Sequence, residues 1–103
     1  MSGFYRFPAM AKLGEWTNEG QAVKILEEAD EAKSAQAFWC YGNGSGDEDA
    51  DRTAYGMELM DVIHAAETAL RMEFSDAEVV GLQLKVIEKN RKRGYYKGGA
   101  EVL

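Results

Sequence analysis

Two carboxylate pairs at helical spacing, Glu28 with Glu31 and Glu58 with Asp61, are the residues of this chain best suited to chemistry. The two members of an i, i+3 pair sit about 5–6 Å apart between Cβ atoms on one helix face. Two such faces turned toward each other would make a cage of oxygen ligands for a hard cation such as Mg²⁺, with phosphate oxygens and water completing its shell. Without a cation the four acids would repel one another, and a divalent ion reverses the sign of that interaction. A metal held this way polarises a phosphoryl oxygen and helps generate an attacking hydroxide. Glu27, the nearest spare acid, is the candidate to orient or deprotonate that water.

The competing reading is a solvated helix face, in which acids pair with Lys or Arg at i+4. The i+4 positions here hold Ala32, Ala35, Val62 and Ala65, none of them basic. Spacing alone weighs the two readings evenly, because acid clusters can also be structural.

The elements that must position these acids are helices. One is expected to begin at Thr17 or Asn18, either of which can cap it, and to run to about Trp39. A second is expected from about Asp51 to Met72, after an acidic, glycine-rich loop over residues 42–51. Ser75 and Glu78 form a capping box for a third, which runs to about Lys92 and stops at Gly94. Residues 1–16 read as an irregular arm and 95–103 as an irregular tail, with no strand pattern anywhere. The fold class expected is therefore all-α, a helical bundle of three main helices in one domain, completed by oligomerisation because a chain this short buries a modest core.

On a helical wheel Ile25, Leu26, Ala29 and Ala32 form an apolar stripe on the first helix, with Glu28 at its edge. On the second the stripe is Tyr55, Leu59, Val62, Ile63, Ala66 and Leu70, with Glu58 at its edge. Antiparallel packing of the two stripes would bring all four acids toward one rim.

The third helix carries a different signal. Val79, Leu82 and Val86 define an apolar face that Asn90 and Arg93 continue. Lys85, Lys89, Lys92 and Arg93 make its end basic, and Tyr95 and Tyr96 follow, where rings could stack on a nucleobase. Basic residues at a helix C-terminus also simply favour the helix dipole.

The 103 residues carry a net charge of −6 and a single cysteine, Cys40. That excludes an intrachain disulfide and a cysteine-built zinc site, and the acidity argues against a nucleic-acid-binding face. No apolar run is long enough for a membrane span, and residues 1–12 lack a signal-peptide core, so a cytoplasmic setting is expected. His64 is the only histidine, which excludes the paired Glu-x-x-His motifs of a di-iron bundle; a structural or surface role is expected for it. Trp16 and Trp39 could wall a base pocket, although core packing is their commoner use. Cys40 reads as an inert buried or half-buried thiol.

Taken together, Glu27-Glu28-Ala29-Asp30-Glu31 followed by Glu58-Leu59-Met60-Asp61 resembles the EExxE…ExxD signature of the all-α nucleoside triphosphate pyrophosphohydrolases. These are the MazG-like enzymes, related to dimeric dUTPases and dCTP pyrophosphatases. Residues 89–96 resemble the KNxxRGYY ending of the phage and bacterial branch. The resemblance spans about residues 15–96. It implies Mg²⁺-dependent hydrolysis of a (d)NTP to a monophosphate and pyrophosphate, with Mn²⁺ as a substitute metal. It implies Glu28, Glu31, Glu58 and Asp61 as metal ligands, with Glu27 assisting. Lys89 and Asn90 would contact phosphate or sugar, Arg93 and Tyr96 would be further substrate contacts, and the protein would be a homodimer or homotetramer. The chain departs from many relatives in having Ala29, Asp30 and Ala32 within and after the first motif.

Overall fold

The computed structural model describes residues 3–42 and 44–97 and is all-α. A single 3-10 turn, Leu13–Glu15, precedes three helices: α1 (Asn18–Tyr41), α2 (Glu48–Glu73) and α3 (Asp76–Lys92). Residues 98–103, most of the expected tail, lie outside the described residues. Among the described residues no helix is long and apolar enough to cross a membrane. The chain forms two compact units, residues 5–73 and the segment from Phe74 onward with the first residues, and each is described by itself.

In the larger unit α1 starts where Thr17 accepts a hydrogen bond from the Gly20 amide at 3.0 Å, satisfying one of the free N–H groups of its first turn. It ends at Gly42, whose φ of 73° is left-handed and favours glycine. The second helix begins three residues earlier than the sequence suggests. Asp47 accepts from the Ala50 amide at 3.1 Å and so caps α2. Glu48, Asp49 and Asp51 then occupy its first turn, where negative charge is stabilised by the helix dipole. Half of the supposed acidic loop is thus a helix start. The rest is tied by Asp51, whose Oδ1 accepts from the Ser45 hydroxyl at 2.9 Å and amide at 3.2 Å.

Helices α1 and α2 pack antiparallel. Asn18 donates to Glu73 at 2.7 Å at one end, and the Trp39 and Tyr55 rings stack 5.8 Å apart at the other. The seam between them keeps only part of the expected apolar stripe, Ala32 included. Its buried residues are Gln21, Glu28 and Ala32 from α1 and Ala65 and Thr68 from α2, while Glu67, also buried, turns to the N-terminal arm. Leu26 is 70% exposed, and Leu59 and Ile63 also lie at the surface. Gln21, Glu28 and Ala32 fall within about 40° of one another on the wheel, whereas Leu26 lies more than 100° from Gln21 and Glu28. The helix therefore turns a small and polar arc inward. Cys40 is exposed, not buried.

The N-terminal arm has no long regular element, yet it is fastened to α2. The amides of Arg6 and Phe7 both donate to the Glu67 carboxylate at 3.0–3.2 Å. Phe7 stacks on His64 at 4.6 Å, and the Arg71 guanidinium lies 3.9 Å over the Tyr5 ring.

In the smaller unit the capping box closes as expected: Ser75 Oγ accepts from the Glu78 amide at 3.2 Å and Glu78 accepts from the Ser75 amide at 2.9 Å. At the other end the Tyr95 amide donates to the Asn90 carbonyl at 3.1 Å and the Gly94 amide to the Arg91 carbonyl at 3.0 Å. This is a Schellman closure around Gly94, whose φ is 76°. Val79 is buried, but Val86, placed on the same face by the wheel, is 47% exposed.

Candidate metal centre

Three acids meet at the α1–α2 seam. Glu28 and Glu31 from α1 and Glu58 from α2 each present a carboxylate oxygen, and the three oxygens lie within 4.8 Å of one another. Antiparallel packing makes this meeting: Gln21 donates from Nε2 to the Ala65 carbonyl at 2.9 Å, fixing the register, and Glu28 lies seven residues after Gln21 while Glu58 lies seven residues before Ala65. Glu28 is buried, Glu58 half-buried and Glu31 exposed, so the cluster opens to solvent on the Glu31 side.

Glu58 is the strained member. Its Oε1 is shielded from solvent and accepts no hydrogen bond. Desolvation pushes the Glu58 carboxyl above its ordinary pKa, and the charges of Glu31, Asp61 and Glu28 push it the same way. Asp61 stands outside the trio of closest oxygens. It lines, with Glu28, a neighbouring cavity of about 300 Å³ whose wall also includes Gln21, Lys24, His64 and Thr68.

The donor set fits a hard divalent cation. All three atoms are oxygens, the ligand type of Mg²⁺ and Mn²⁺ and not of zinc sites built from Cys and His. Mg²⁺ takes oxygens at about 2.0–2.1 Å, so opposite ligands stand about 4.2 Å apart, and the three carboxylate oxygens here all lie within 4.8 Å of one another. A shielded, unpartnered carboxylate oxygen is what such an ion would satisfy.

Glu27 lies elsewhere on α1. It is exposed and borders a surface depression with Val23, Leu26, Ala29, Asp30 and Lys33. The candidate substrate residues belong to the smaller unit. There Lys89 is exposed, Asn90 and Tyr96 are half-buried, and the Arg93 guanidinium lies 5.9 Å from the Tyr95 ring. The backbone carbonyls of Asn90 and Lys89 serve the helix ending, which gives the Asn-Arg-Lys-Arg-Gly-Tyr run a local structural use alongside any contact its side chains make. Of the two tryptophans, Trp39 packs against Tyr55, and Trp16 walls a shallow depression with Gly20, Gln21 and Lys24.

Two residues of this region escape a reading by i+4 spacing. Lys24 forms an ion pair with Glu28 at 2.7 Å from the opposite direction, at i−4, so Glu28 does have a basic partner on its own helix. The signal was available one turn upstream. His64 lies on the cavity wall, and its Nε2 is shielded and without a hydrogen-bond partner; that environment follows from the arm that carries Phe7, which no local pattern connects to α2. Comparison with protein-family models, with curated proteins and with solved structures finds no match to this chain.

Proposed function

We propose that this protein is a Mg²⁺-dependent nucleoside triphosphate pyrophosphohydrolase, acting on a (d)NTP to release a monophosphate and pyrophosphate. The observation that carries the reading is the meeting of Glu28, Glu31 and Glu58 across two helices, in the order that the EExxE…ExxD resemblance implies. Glu28, Glu31 and Glu58 would hold the ion, and Asp61, on the adjoining wall, would complete the set. When bound, Mg²⁺ would neutralise phosphate charge and polarise the phosphoryl group under attack. The chain's own contribution is orientation and charge. The carboxylates keep their oxygens converged, and the cavity beside them offers Lys24, Gln21 and His64 as polar contacts for the rest of the substrate.

Glu27, as the spare acid, would position water by a side-chain movement toward the cluster. We read the active form as a homo-oligomer working in the cytoplasm. The support for association is the exposed apolar surface of α1 and α2, with Leu26 70%, Met57 65% and Phe38 51% exposed. That same surface also suits a non-catalytic helical interaction module, the second reading.

Incubation of the purified protein with each (d)NTP and Mg²⁺, with products resolved by chromatography, separates these readings. Monophosphate with pyrophosphate is the expected result. Orthophosphate release would mean a phosphohydrolase of different bond choice. Absence of turnover, together with no Mg²⁺-induced thermal stabilisation, would leave the interaction module.

A further inference from the structure

The acid cluster already has a cation of its own. Lys24 Nζ stands 2.7 Å from Glu28 Oε2, and the two side chains differ sharply in exposure, 53% for Lys24 and 9% for Glu28. Glu28 is thus fixed in the seam while Lys24 reaches it from solvent. The lysine stem is flexible, and its ammonium is a compact point charge with rotatable donors. Lys24 also borders two hollows, the cavity shared with Glu28, Asp61 and His64 and the depression beneath Trp16. An ammonium displaced from Glu28 therefore has room on either side without any backbone change.

A divalent ion among Glu28, Glu31 and Glu58 would draw on the same Glu28 carboxylate that Lys24 now neutralises, and two cations on one carboxylate repel. We propose that Lys24 is an exchangeable counter-ion: it holds Glu28 in the metal-free protein, yields it to the entering divalent cation, and then turns its ammonium to the phosphate chain of the ligand. Lys24 is a positioning and binding residue in this scheme, and no bond forms or breaks at it. The phosphate limb rests on the nucleotide reading above; the metal-exchange limb needs only the acid cluster.

Calorimetric titration of the wild type, Lys24→Met and Lys24→Arg tests both limbs without catalysis, first with Mg²⁺ alone and then with inorganic pyrophosphate at saturating Mg²⁺. Loss of an exposed ion-pair partner shifts a competing equilibrium by a modest factor. Lys24→Met is expected to bind Mg²⁺ about two- to tenfold more tightly than wild type. The same variant is expected to bind pyrophosphate more weakly, by about tenfold, and Lys24→Arg should stay near wild type in both. Opposite signs in one variant are what a merely structural lysine would not produce. Unchanged or weaker Mg²⁺ binding in Lys24→Met overturns the exchange, and unchanged pyrophosphate binding overturns the phosphate limb. If both shifts appear but no (d)NTP is hydrolysed, the hydrolase reading fails and the exchange stands. If the wild type binds no Mg²⁺, both fall.

Discussion

Gln21 of α1 donates its side-chain N–H to the backbone carbonyl of Ala65 on α2, at 2.9 Å and out of contact with solvent. A helical carbonyl normally serves only its own helix, so this bond is a cross-link specific to one register of the pair. One turn further along α1 comes Ile25, and the next buried position is Glu28. The acid cluster therefore inherits its geometry from an amide two turns away.

Replacing Gln21 by Leu should lower stability by about 0.5–1.5 kcal/mol, the net worth of one hydrogen bond, because the Ala65 carbonyl keeps its partner within α2. It should also weaken Mg²⁺ binding, since the register is no longer held. Urea unfolding and Mg²⁺ titration of the same variant check the two effects; a destabilised protein with wild-type Mg²⁺ affinity would separate the bond from the cluster.

Glu58→Gln removes one of the proposed metal ligands and also the repulsion among the clustered acids. Its thermal midpoint without metal should equal or exceed that of the wild type, and its Mg²⁺-induced shift should disappear. Turnover of any (d)NTP substrate should fall more than about 100-fold, beyond the usual effect of losing a ligand's supporting partner. A variant that is less stable in EDTA than the wild type would mean that Glu58 stabilises the seam.

Glu67 holds two backbone amides of the arm. Glu67→Ala should cost about 1.5–3 kcal/mol, the range for hydrogen bonds to a charged acceptor. Because Phe7 rests on His64, the same change should expose the His64 ring. Hydrogen exchange at the Phe7 amide, protected in the wild type, should become fast in the variant.

The capping box predicts a pH dependence. Backbone and side-chain hydrogen bonds from Ser75 hold the Glu78 carboxyl below its ordinary pKa of 4.5. The folded chain thus binds that proton less tightly than the unfolded chain. The resulting stability is present above pH 4.5 and is lost as pH falls through the depressed folded value. Glu78→Gln should therefore be less stable than the wild type at pH 7, and the difference should shrink in acid unfolding series as pH falls below 4.5. A gap that persists unchanged at pH 3 would assign the effect to packing.

Local chemistry was legible in the sequence where one turn of helix decides the outcome. Thr17, Ser75 with Glu78, and Gly94 mark their helix ends correctly because each cap is made by residues within a few positions of one another. The start of α2 was misread because Asp47, Glu48 and Asp49 resemble a charged loop until Asp47 is seen to cap. The all-α class followed from periodicity. The inward faces followed only in part, since the wheel selects the most apolar arc and this pair of helices buries Gln21, Glu28 and Thr68 beside Ala32. Glu28, Glu31 and Glu58 could be nominated by spacing, but their meeting depends on a register set by Gln21 and Ala65. Lys24 and the pairing of Phe7 with His64 depend on looking upstream and across 57 residues respectively.

The polar seam has a calorimetric consequence. Heat capacity rises on unfolding in proportion to the apolar surface that becomes wet, and polar exposure lowers it. The buried hydrophobic residues described here are Ala32, Ala65 and Val79, two of them among the smallest side chains. A single chain should accordingly unfold with a heat capacity increment below the common value of about 12–15 cal/mol/K per residue. Its free energy of unfolding would then vary little with temperature, giving a flat stability curve, and any partner that covers Leu26, Phe38 and Met57 would make that curve steeper.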